Sequence, residues 1–389
     1  MKQNILKLEK SAKILSKYII GEEYKGFDPY DGLSSPLFKL PFLKSNKLAR
    51  FGFQQLFRRI PINLRSILRI RKEVNPVTLG LSIQSFAYLS QVFRADEDYY
   101  KEQIDICLDK LIALKSPGYS GSCWGYNFDW EARYAKIDAY TPTIVATGFI
   151  INGLYEYYKI SNNSKAKELI LDSSKFVLND LNRTYEGDNY CFSYSPNDNQ
   201  VVFNATMKAA RLLAQAYDLS KDEMFKIEAT KTVNFVMNYQ AVEGYWSYSS
   251  GDARTWVDNF HTAYVLDALK SYIELTGNRN YDLNLIKGFS YYKKNFITND
   301  FIPKYFNNSL YPIDSTAVSQ TILTLAQFEE IDLALKASNW AVVNFLSKKG
   351  SFYYRKYKYF TNRISYMRWS NAWFLVSLSM LLYKIYKEK

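Results

Sequence analysis

Apolar residues recur at helical spacing in five segments that resemble one another along the chain. The segments read TPTIVATGFIINGLYEY, VFNATMKAARLLAQAY, VDNFHTAYVLDALKSY, IDSTAVSQTILTLAQF and MRWSNAWFLVSLSMLL. Aligned on Leu154, Leu213, Leu269, Leu325 and Leu378, they lie 53 to 59 residues apart, and an earlier copy, NPVTLGLSIQSFAYLSQVF, lies about one step upstream. Their small and apolar residues are typical of helices that are buried on most sides. The pattern predicts a fold built from repeated helices.

Amphipathic segments and aromatic loops alternate with these buried helices. SKAKELILDSSKFVLNDL and EATKTVNFVMNYQ each have a charged face, which suits the outside of an assembly. Aromatic segments such as GSCWGYNFDW and GYWSYSSGDARTW precede the buried helices. The unit is thus outer helix, aromatic loop and inner helix, and one such hairpin cannot bury its apolar face alone. We predict an all-α, single-domain α/α toroid of about six helical hairpins, although an open helical array would show the same local pattern.

The positive charge of the chain is concentrated near its N-terminus. The net charge is +12, and no acidic residue lies between Asp31 and Glu73. That stretch contains ten basic residues: Lys39, Lys44, Lys47, Arg50, Arg58, Arg59, Arg65, Arg69, Arg71 and Lys72. We predict a basic helical arm and loop, residues 1–73, packed on toroid repeats 74–389. The stretch 32–72 could contact an anionic polysaccharide or a lipid surface, or it could be a solvated face of helices that pack on the barrel. No nucleic-acid-binding motif accompanies it, so no nucleic acid is expected as a partner.

The remaining composition limits the location and the chemistry. The first twenty residues lack a secretory signal, no apolar stretch is long enough to span a membrane, and the three cysteines do not form a disulfide pattern. These features predict a cytoplasmic protein, with peripheral contact to the inner membrane through residues 32–72 as an option. One histidine and scattered cysteines leave no zinc site, and there is no P-loop or dinucleotide fingerprint. We therefore expect no metal and no cofactor.

One short motif resembles a known group of toroids. Gln240, Gly244 and Trp246 have the Q-x3-G-x-W spacing that recurs in squalene-cyclase-like α/α toroids. The segments GFDPYDGLSSPLF, PINLRSIL, NPVTLGL and VDNFHTAYVLDAL resemble a toroid family encoded in bacterial surface-polysaccharide gene clusters. The resemblance implies a role in capsule, O-antigen or exopolysaccharide production, and no established chemistry comes with it. The D-x-D-D acid of terpene cyclases is absent, so terpene chemistry is not implied.

Polar residues at the starts of the inner helices are the main candidates for chemistry. In a closed ring these positions face a common funnel. At equivalent positions of the other repeats most residues are apolar or small, so Asp258, Asn259, His261 and Asp314 stand out. His261 is the only histidine, and Asp258 lies three residues earlier on the same helical face, which suits general acid or base catalysis. The alternative is a buried histidine whose hydrogen bonds are satisfied within the repeat stack.

Aromatic and charged residues in the loops are candidates for sugar binding. Aromatic faces paired with carboxylates hold sugar rings, because the ring stacks and the acid accepts hydrogen bonds from hydroxyl groups. Asp28 and Asp31 could bind hydroxyl groups or could simply cap turns. Rim packing and solvated charge are the alternative for the whole set. The predicted substrate-binding residues are Asp28, Asp31, Trp124, Tyr126, Asp129, Asp138, Trp246, Tyr248, Arg254, Trp256, Asn259 and Arg368.

Together these features predict a glycan-active protein of bacterial surface polysaccharide biosynthesis. The substrate would be an anionic polysaccharide or a lipid-linked glycan, and the reaction hydrolysis, β-elimination or epimerisation. Elimination or epimerisation needs a base, which His261 or Tyr248 could supply, and a neutraliser such as Asn259 or an arginine. Hydrolysis needs two carboxylates, for which Asp258 and Asp314 are the predicted pair. The alternatives are a non-catalytic glycan-binding or scaffolding toroid, and a lipid or isoprenoid cyclase, which would need an apolar cavity.

Overall fold

Long helices dominate the computed structural model, which describes residues 2–133 and 136–387. The α-helices are α1 (Lys2–Gly21), α2 (Pro41–Ser45), α3 (Lys47–Phe57), α4 (Pro76–Val92), α5 (Glu97–Ala113), α6 (Ile144–Ser161), α7 (Ser164–Asp180), α8 (Phe203–Ser220), α9 (Glu223–Met237), α10 (Asn259–Thr276), α11 (Asp282–Phe296), α12 (Ser315–Gln327), α13 (Ile331–Phe345) and α14 (Trp373–Lys387). Short 3₁₀ turns occupy Asp31–Ser34, Pro36–Lys39, Arg94–Asp96 and Arg279–Tyr281, and a π-helical turn, Met367–Ala372, leads into α14.

Six of these helices form a closed inner ring. Each packs against two neighbours, in the order α4, α6, α8, α10, α12, α14 and back to α4. Most residues of these helices are buried, as their small and apolar sequences predict. The contact between α14 and α4 joins the last repeat to the first. The predicted all-α toroid of six hairpins is therefore confirmed, and the open array is not what forms.

The outer ring covers the backs of the inner helices. α5 packs on α4, α7 on α6 and α8, α9 on α8, α11 on α10, and α13 on α12. α1 packs on α14 and α13, so the N-terminal helix fills the remaining outer position. It buries one stripe, which includes Leu8, Ala12, Leu15 and Ile19, and leaves its lysines on the other side. The predicted division at residue 73 stays a prediction.

The N-termini of the inner helices share one end of the barrel, because each outer helix returns the chain before the next inner helix begins. Asn75, Thr143, Asp258 and Asp314 precede four of these helices, and each side chain accepts a hydrogen bond from a backbone N–H of the first turn. The candidate positions chosen from the repeat are thus capping positions. They place polar groups at the mouth of the ring.

Short antiparallel strands stiffen the loops between the helices. β1 pairs with β2, β3 with β4 and β5 with β6, and β8 lies between β7 and β9. Their bounds are β1 Lys25–Gly26, β2 Glu73–Val74, β3 Trp130–Glu131, β4 Lys136–Ile137, β5 Arg183–Glu186, β6 Asn189–Phe192, β7 Ile313–Asp314, β8 Arg355–Lys356 and β9 Thr361–Asn362. The three-stranded sheet brings the loop before α12 against the loop before α14.

The Q-x3-G-x-W motif clamps one outer helix to the next. Gln240 Nε2 donates hydrogen bonds to Gly244 O and to Asn284 O, both at 2.9 Å. Gly244 has a φ of +105°, and a Cβ at this position would lie 2.5 Å from the carbonyl oxygen of Lys287, so only glycine fits. Trp246 is buried and donates through Nε1 to Val236 O at 3.1 Å. The motif therefore has a structural explanation in this protein.

The basic stretch 32–72 combines anchoring contacts with an exposed surface. Arg65 Nη2 lies 2.8 Å from Asp31 Oδ1, and Arg50 Nε lies 2.7 Å from Glu131 Oε2. Large apolar side chains nevertheless face solvent here: Leu37, Leu40, Phe42, Leu48, Leu56, Ile62 and Ile67. Within residues 2–133 and 136–387, no helix has the length and the apolar character needed to cross a bilayer.

Candidate functional site

Seven aromatic side chains meet at the N-terminal mouth of the barrel: five come from separate loops, one from the first turn of the inner helix α10 and one from the π-helical turn before α14. Tyr30 lies 6.3 Å from Trp130 and 5.4 Å from Trp369 between ring centres. Phe260 continues this wall, 5.9 Å from Trp369 and 5.5 Å from Tyr305. We call this wall the aromatic funnel. Its members are Tyr30, Trp130, Tyr194, Tyr248, Phe260, Tyr305 and Trp369.

Asp258 and His261 form a hydrogen-bonded pair in the wall of the funnel. Asp258 Oδ1 accepts the backbone N–H of His261 at 3.0 Å, and Oδ2 lies 2.6 Å from His261 Nδ1. The cap therefore also orients the imidazole. Of the described residues none hydrogen-bonds to His261 Nε2, and the side chain is 24% exposed. A carboxylate on Nδ1 and an open Nε2 are the arrangement of a histidine general base.

Tyr248 and Trp256 lie beside this pair. Their rings stack with centres 4.9 Å apart, and Tyr248 meets the imidazole of His261 edge-on at 4.6 Å. Trp256 is 41% exposed, and its Nε1 donates to Asp258 Oδ2 at 3.1 Å. Arg254 is paired with Asp252 and lies 5.2 Å from the centre of the Tyr248 ring. Burial raises the pKa of Tyr248, so its phenol stays protonated at neutral pH and donates rather than accepts a proton.

Asp314 lies within the protein, below the surface of the funnel. Its carboxylate is fully buried and accepts from Thr316 N at 2.9 Å and from Trp369 Nε1 at 3.0 Å. Arg355 Nε donates to Oδ2 at 2.5 Å. Both oxygens are therefore committed, and Asp258 is likewise occupied by its histidine. This arrangement does not favour the Asp258 and Asp314 pair that hydrolysis would require.

Asn259 also points away from the funnel. Its Nδ2 donates to Thr321 Oγ1 at 3.0 Å, and its Oδ1 accepts from the Tyr292 hydroxyl at 2.9 Å. The side chain is fully buried. It joins α10 to α12 and to the outer helix α11, so it cannot approach a substrate carboxylate without rearrangement.

Asp28, Asp31 and Arg368 take part in buried ion pairs: Asp28 pairs with Arg368 of the last repeat, and Asp31 pairs with Arg65 within the N-terminal region. Arg368 donates to Asp28 through Nε at 2.7 Å and through Nη2 at 2.8 Å. Arg65 Nε donates to Asp31 at 2.9 Å, and its Nη2 donates to the carbonyl of Asp28 at 2.7 Å. The arginine–aspartate pairs thus hold the N-terminal loop against the π-helical turn. They position Tyr30 and Trp369 and are themselves almost inaccessible.

The remaining predicted binding residues are distributed between core and surface. Trp124 is fully buried and donates through Nε1 to Leu111 O at 2.8 Å, and Tyr126 is nearly as buried, stacked on Phe128. Asp129 Oδ1 accepts from Ala139 N at 2.8 Å. Asp138 is exposed and paired with a neighbouring lysine. Neither Trp124 nor Trp246 presents a free face to a sugar, whereas Trp256 does.

Sequence reasoning missed Tyr30 and Arg58 as members of the site. Arg58 Nη1 donates to the Tyr30 hydroxyl at 2.6 Å, and its Nε is buried without a hydrogen-bond partner. No ion pair in the described parts of the chain involves Arg58. It belongs to the basic stretch, and nothing in the sequence pattern distinguishes it from neighbours such as Arg59, which is exposed. Only the packing of α3 against β3 and the 3₁₀ turn Asp31–Ser34 brings it to the funnel.

Comparison with solved structures identifies similar folds. A cellobiose 2-epimerase from Bacillus thermoamylovorans matches with a TM-score of 0.62 and 13% identity over 79% of this chain and 87% of that one. A family 76 glycoside hydrolase, a mannosidase from Bacteroides thetaiotaomicron, matches with a TM-score of 0.63 and 10% identity over 98% and 99%. A D-mannose isomerase matches with a TM-score of 0.58 and 11% identity over 79% and 86%. At such identities the likeness establishes the α/α toroid fold alone. No protein-family model matches the sequence, and the comparison with curated proteins finds no match.

Proposed function

We propose that this protein is a carbohydrate-active enzyme of bacterial surface polysaccharide biosynthesis that removes a carbon-bound proton from a sugar. The observation that carries the proposal is the 2.6 Å contact between Asp258 Oδ2 and His261 Nδ1, beside the exposed face of Trp256. Epimerisation and β-elimination share this first step. The alternative remains a non-catalytic glycan-binding toroid.

The proposed proton abstraction uses Trp256, His261, Asp258 and Tyr248. The sugar stacks on Trp256, and Nε2 of His261 takes the proton from the carbon next to a carbonyl or carboxyl group. The electron pair of the C–H bond moves onto that carbonyl oxygen, and Asp258 stabilises the imidazolium that forms. Return of a proton to the other face gives an epimer, whereas loss of a β-substituent gives an unsaturated sugar. Tyr248, whose pKa is raised by burial, is the proposed proton donor.

The contacts of Asp314 favour proton abstraction over hydrolysis. The second carboxylate that a glycosidase needs is not available, because Asp314 is committed to Arg355, Trp369 and the start of α12. Proteins of similar fold include a cellobiose 2-epimerase and a D-mannose isomerase, named for rearrangements of sugars, and a family 76 glycoside hydrolase, named for cleavage, so the fold is compatible with either reaction. A polar, hydrogen-bonded mouth also argues against an isoprenoid cyclase.

Arg58 supports an anionic substrate. It is the funnel arginine without a carboxylate partner within the described ranges, and its unpaired Nε faces buried space. A uronate carboxylate would give this guanidinium the partner it lacks and would neutralise charge that develops during proton removal. We expect Arg58→Gln to reduce the preference for a uronate-containing oligosaccharide over a neutral one by about tenfold. Arg59→Gln, an exposed neighbour, is the matched control, and an equal effect of both variants would contradict this assignment.

The exposed apolar residues of stretch 32–72 support attachment to the cytoplasmic face of the inner membrane, where lipid-linked glycans are made. Phe42 is 73% exposed and Leu48 is 83% exposed, and both are flanked by lysines. We expect the protein to sediment with vesicles that contain an anionic lipid and not with neutral vesicles. Leu48→Ser should weaken this binding, whereas Val242→Ser, at an equally exposed position elsewhere, should not.

Isotope exchange tests the proposed reaction directly. The purified protein is incubated in D₂O with uronate-containing and neutral oligosaccharides, and deuterium at carbon is followed by NMR and mass spectrometry. We expect exchange with the wild type and a loss of about 10²–10⁴-fold in His261→Asn, with an unchanged melting temperature. Binding of the same oligosaccharides without any exchange would exclude the proposed step and leave the non-catalytic alternative.

A further inference from the structure

A second polar cavity lies inside the barrel, below the aromatic funnel. It is formed by the middle and C-terminal parts of the inner helices, and Phe149, Tyr264 and Trp373 pack together between it and the funnel. The residues that give this inner cavity its polarity are Gln84, Glu156, Lys208, Arg211, Asp267 and Gln320. They are contributed by α4, α6, α8, α10 and α12, so only the closed ring brings them together.

Two cations in this cavity lack a carboxylate partner. Lys208 is 1% exposed, and its Nζ lies over two aromatic rings, 3.9 Å from the centre of Phe149 and 3.7 Å from that of Tyr264. Arg211, one turn further along α8 and 7% exposed, donates to Gly148 O at 3.4 Å, and its Nε has no partner. Neither takes part in an ion pair within the described ranges. Two buried cations so close together disfavour one another unless an anion joins them.

The nearby carboxylates, Asp267 and Glu156, already have other hydrogen-bond or ion-pair partners. Asp267 accepts from Gln320 Nε2 at 2.6 Å and from Thr324 Oγ1 at 2.9 Å, so its oxygens face α12 rather than the lysine. Glu156 accepts from the Tyr88 hydroxyl at 2.9 Å and pairs with Lys159. The donors that remain free are the Nζ of Lys208, which a bound anion would hold as the ammonium, and the Nε edge of Arg211. Free donors of this kind match the oxygens of an oxyanion.

The size of the inner cavity restricts what can bind. Its volume is about 60 Å³, which is enough for a small polar group. A carboxylate or phosphate group fits this space. The cavity shares no lining residue with the space around Asp258 and His261, so the site is distinct from the proposed catalytic mouth.

From this arrangement we propose that Lys208 and Arg211 form a binding site for a small oxyanion, of the carboxylate or phosphate class, in the interior of the barrel. The anion bridges the two side chains and compensates their charge. It stabilises the ring from within, because it binds the folded chain and not the unfolded one. The inference does not depend on the proposed function of the funnel.

Titration with inorganic phosphate and with acetate, against sodium chloride at equal ionic strength, tests this site. We expect a saturable rise in melting temperature with at least one oxyanion, and whether phosphate, acetate or both produce it identifies the class. Arg211→Met and Lys208→Met should abolish the saturable rise, whereas Lys226→Met on the outer helix α9 should keep it. Equal responses to oxyanion and chloride, or an unchanged response in both cavity variants, would overturn the proposal.

A measurement on the wild-type protein tests the anion site even if the cavity variants fail to fold. Burial lowers the pKa of Lys208 well below its ordinary value, so its amine is reactive towards acetylating reagents once they reach it. We expect the oxyanion to slow acetylation of Lys208, measured by mass spectrometry, by about tenfold at saturation, while exposed lysines such as Lys44 react at an unchanged rate. Equal slowing of Lys208 and Lys44, or no slowing of Lys208, would contradict a bound anion there.

Discussion

The aromatic funnel and the inner cavity lie on the same barrel axis but differ in whether their basic side chains have acidic partners. In the funnel, Arg355 is held by Asp314 and Arg368 by Asp28, and His261 is held by Asp258. In the inner cavity, Lys208 and Arg211 have no such partners among the described residues. The difference indicates a mouth in which the charged groups other than Arg58 are oriented by the protein itself, and an interior in which both basic groups are left for a ligand.

The largest effect is expected from Asp258→Asn, which tests the oriented mouth. An asparagine keeps the cap on α10 but no longer stabilises an imidazolium, so the exchange rate should fall by about 10²–10⁴-fold. Asp222→Asn, which changes the cap of the outer helix α9 in the same way, should leave the rate unchanged. NMR-detected deuterium exchange measures both. A similar loss in the two variants would show that capping, not proton transfer, explains the effect.

The next effect concerns the stability of the funnel. Arg355→Met leaves the fully buried carboxylate of Asp314 without its cation, which should lower the free energy of unfolding by about 3–5 kcal/mol. Lys231→Met, which removes a half-exposed pair with Glu228 on α9, should cost about 0–1 kcal/mol. Urea denaturation measures both. Equal losses would mean that Asp314 is not dependent on its ion pair.

In the inner cavity, Lys208→Met should instead raise the free energy of unfolding. Burial and Arg211 lower the pKa of Lys208, Asp267 opposes them, and Tyr264 and Glu156 face the same space. The unfolded lysine thus binds more protons than the folded one between the lowered pKa and about 10.4, and wild-type stability rises with pH across that window. At and below the lowered pKa, the free energy of unfolding of the variant should therefore exceed that of the wild type. The expected difference is about 1.4 kcal/mol for each pH unit between this pKa and about 10.4. The stability difference between variant and wild type should shrink towards pH 10 in oxyanion-free buffer, which denaturation midpoints at several pH values measure. A difference that stays constant with pH would contradict the prediction.

The smallest effect is expected at the rim of the funnel. Trp256→Ala removes the exposed stacking face, and sugar binding should weaken by about 0.5–1.5 kcal/mol without a change in melting temperature. Tyr359→Ala removes an aromatic ring that is 87% exposed elsewhere and should not affect binding. Calorimetric titration with the oligosaccharide measures both affinities. If Tyr359→Ala were the more harmful variant, the sugar would lie outside the funnel.

The sequence repeat alone predicts much of the architecture of this protein. Leu154 to Leu378 mark five inner helices, and the positions eleven residues before four of the leucines are the capping positions Thr143, Val202, Asp258 and Asp314. The pairing of Asp258 with His261 follows from their separation of three residues at a helix start. These features are local, because helical periodicity and capping depend on residues within one or two turns.

The tertiary structure decided which polar groups are engaged by other side chains and which remain available to a ligand. Asp258 and Asp314 occupy equivalent places in the repeat, yet Arg355, 41 residues after Asp314, engages one of them. Arg58 meets Tyr30 because α3 packs against β3 and the 3₁₀ turn Asp31–Ser34, and Lys208 meets Tyr264 because α8 packs against α10. The sequence by itself determined the repeated helical hairpins, their caps and the Asp258–His261 pair, whereas the closure of the ring rests on the contact of α14 with α4. The use of each charge was decided only by contacts between residues far apart in the chain, because burial and ion pairing depend on neighbours in space.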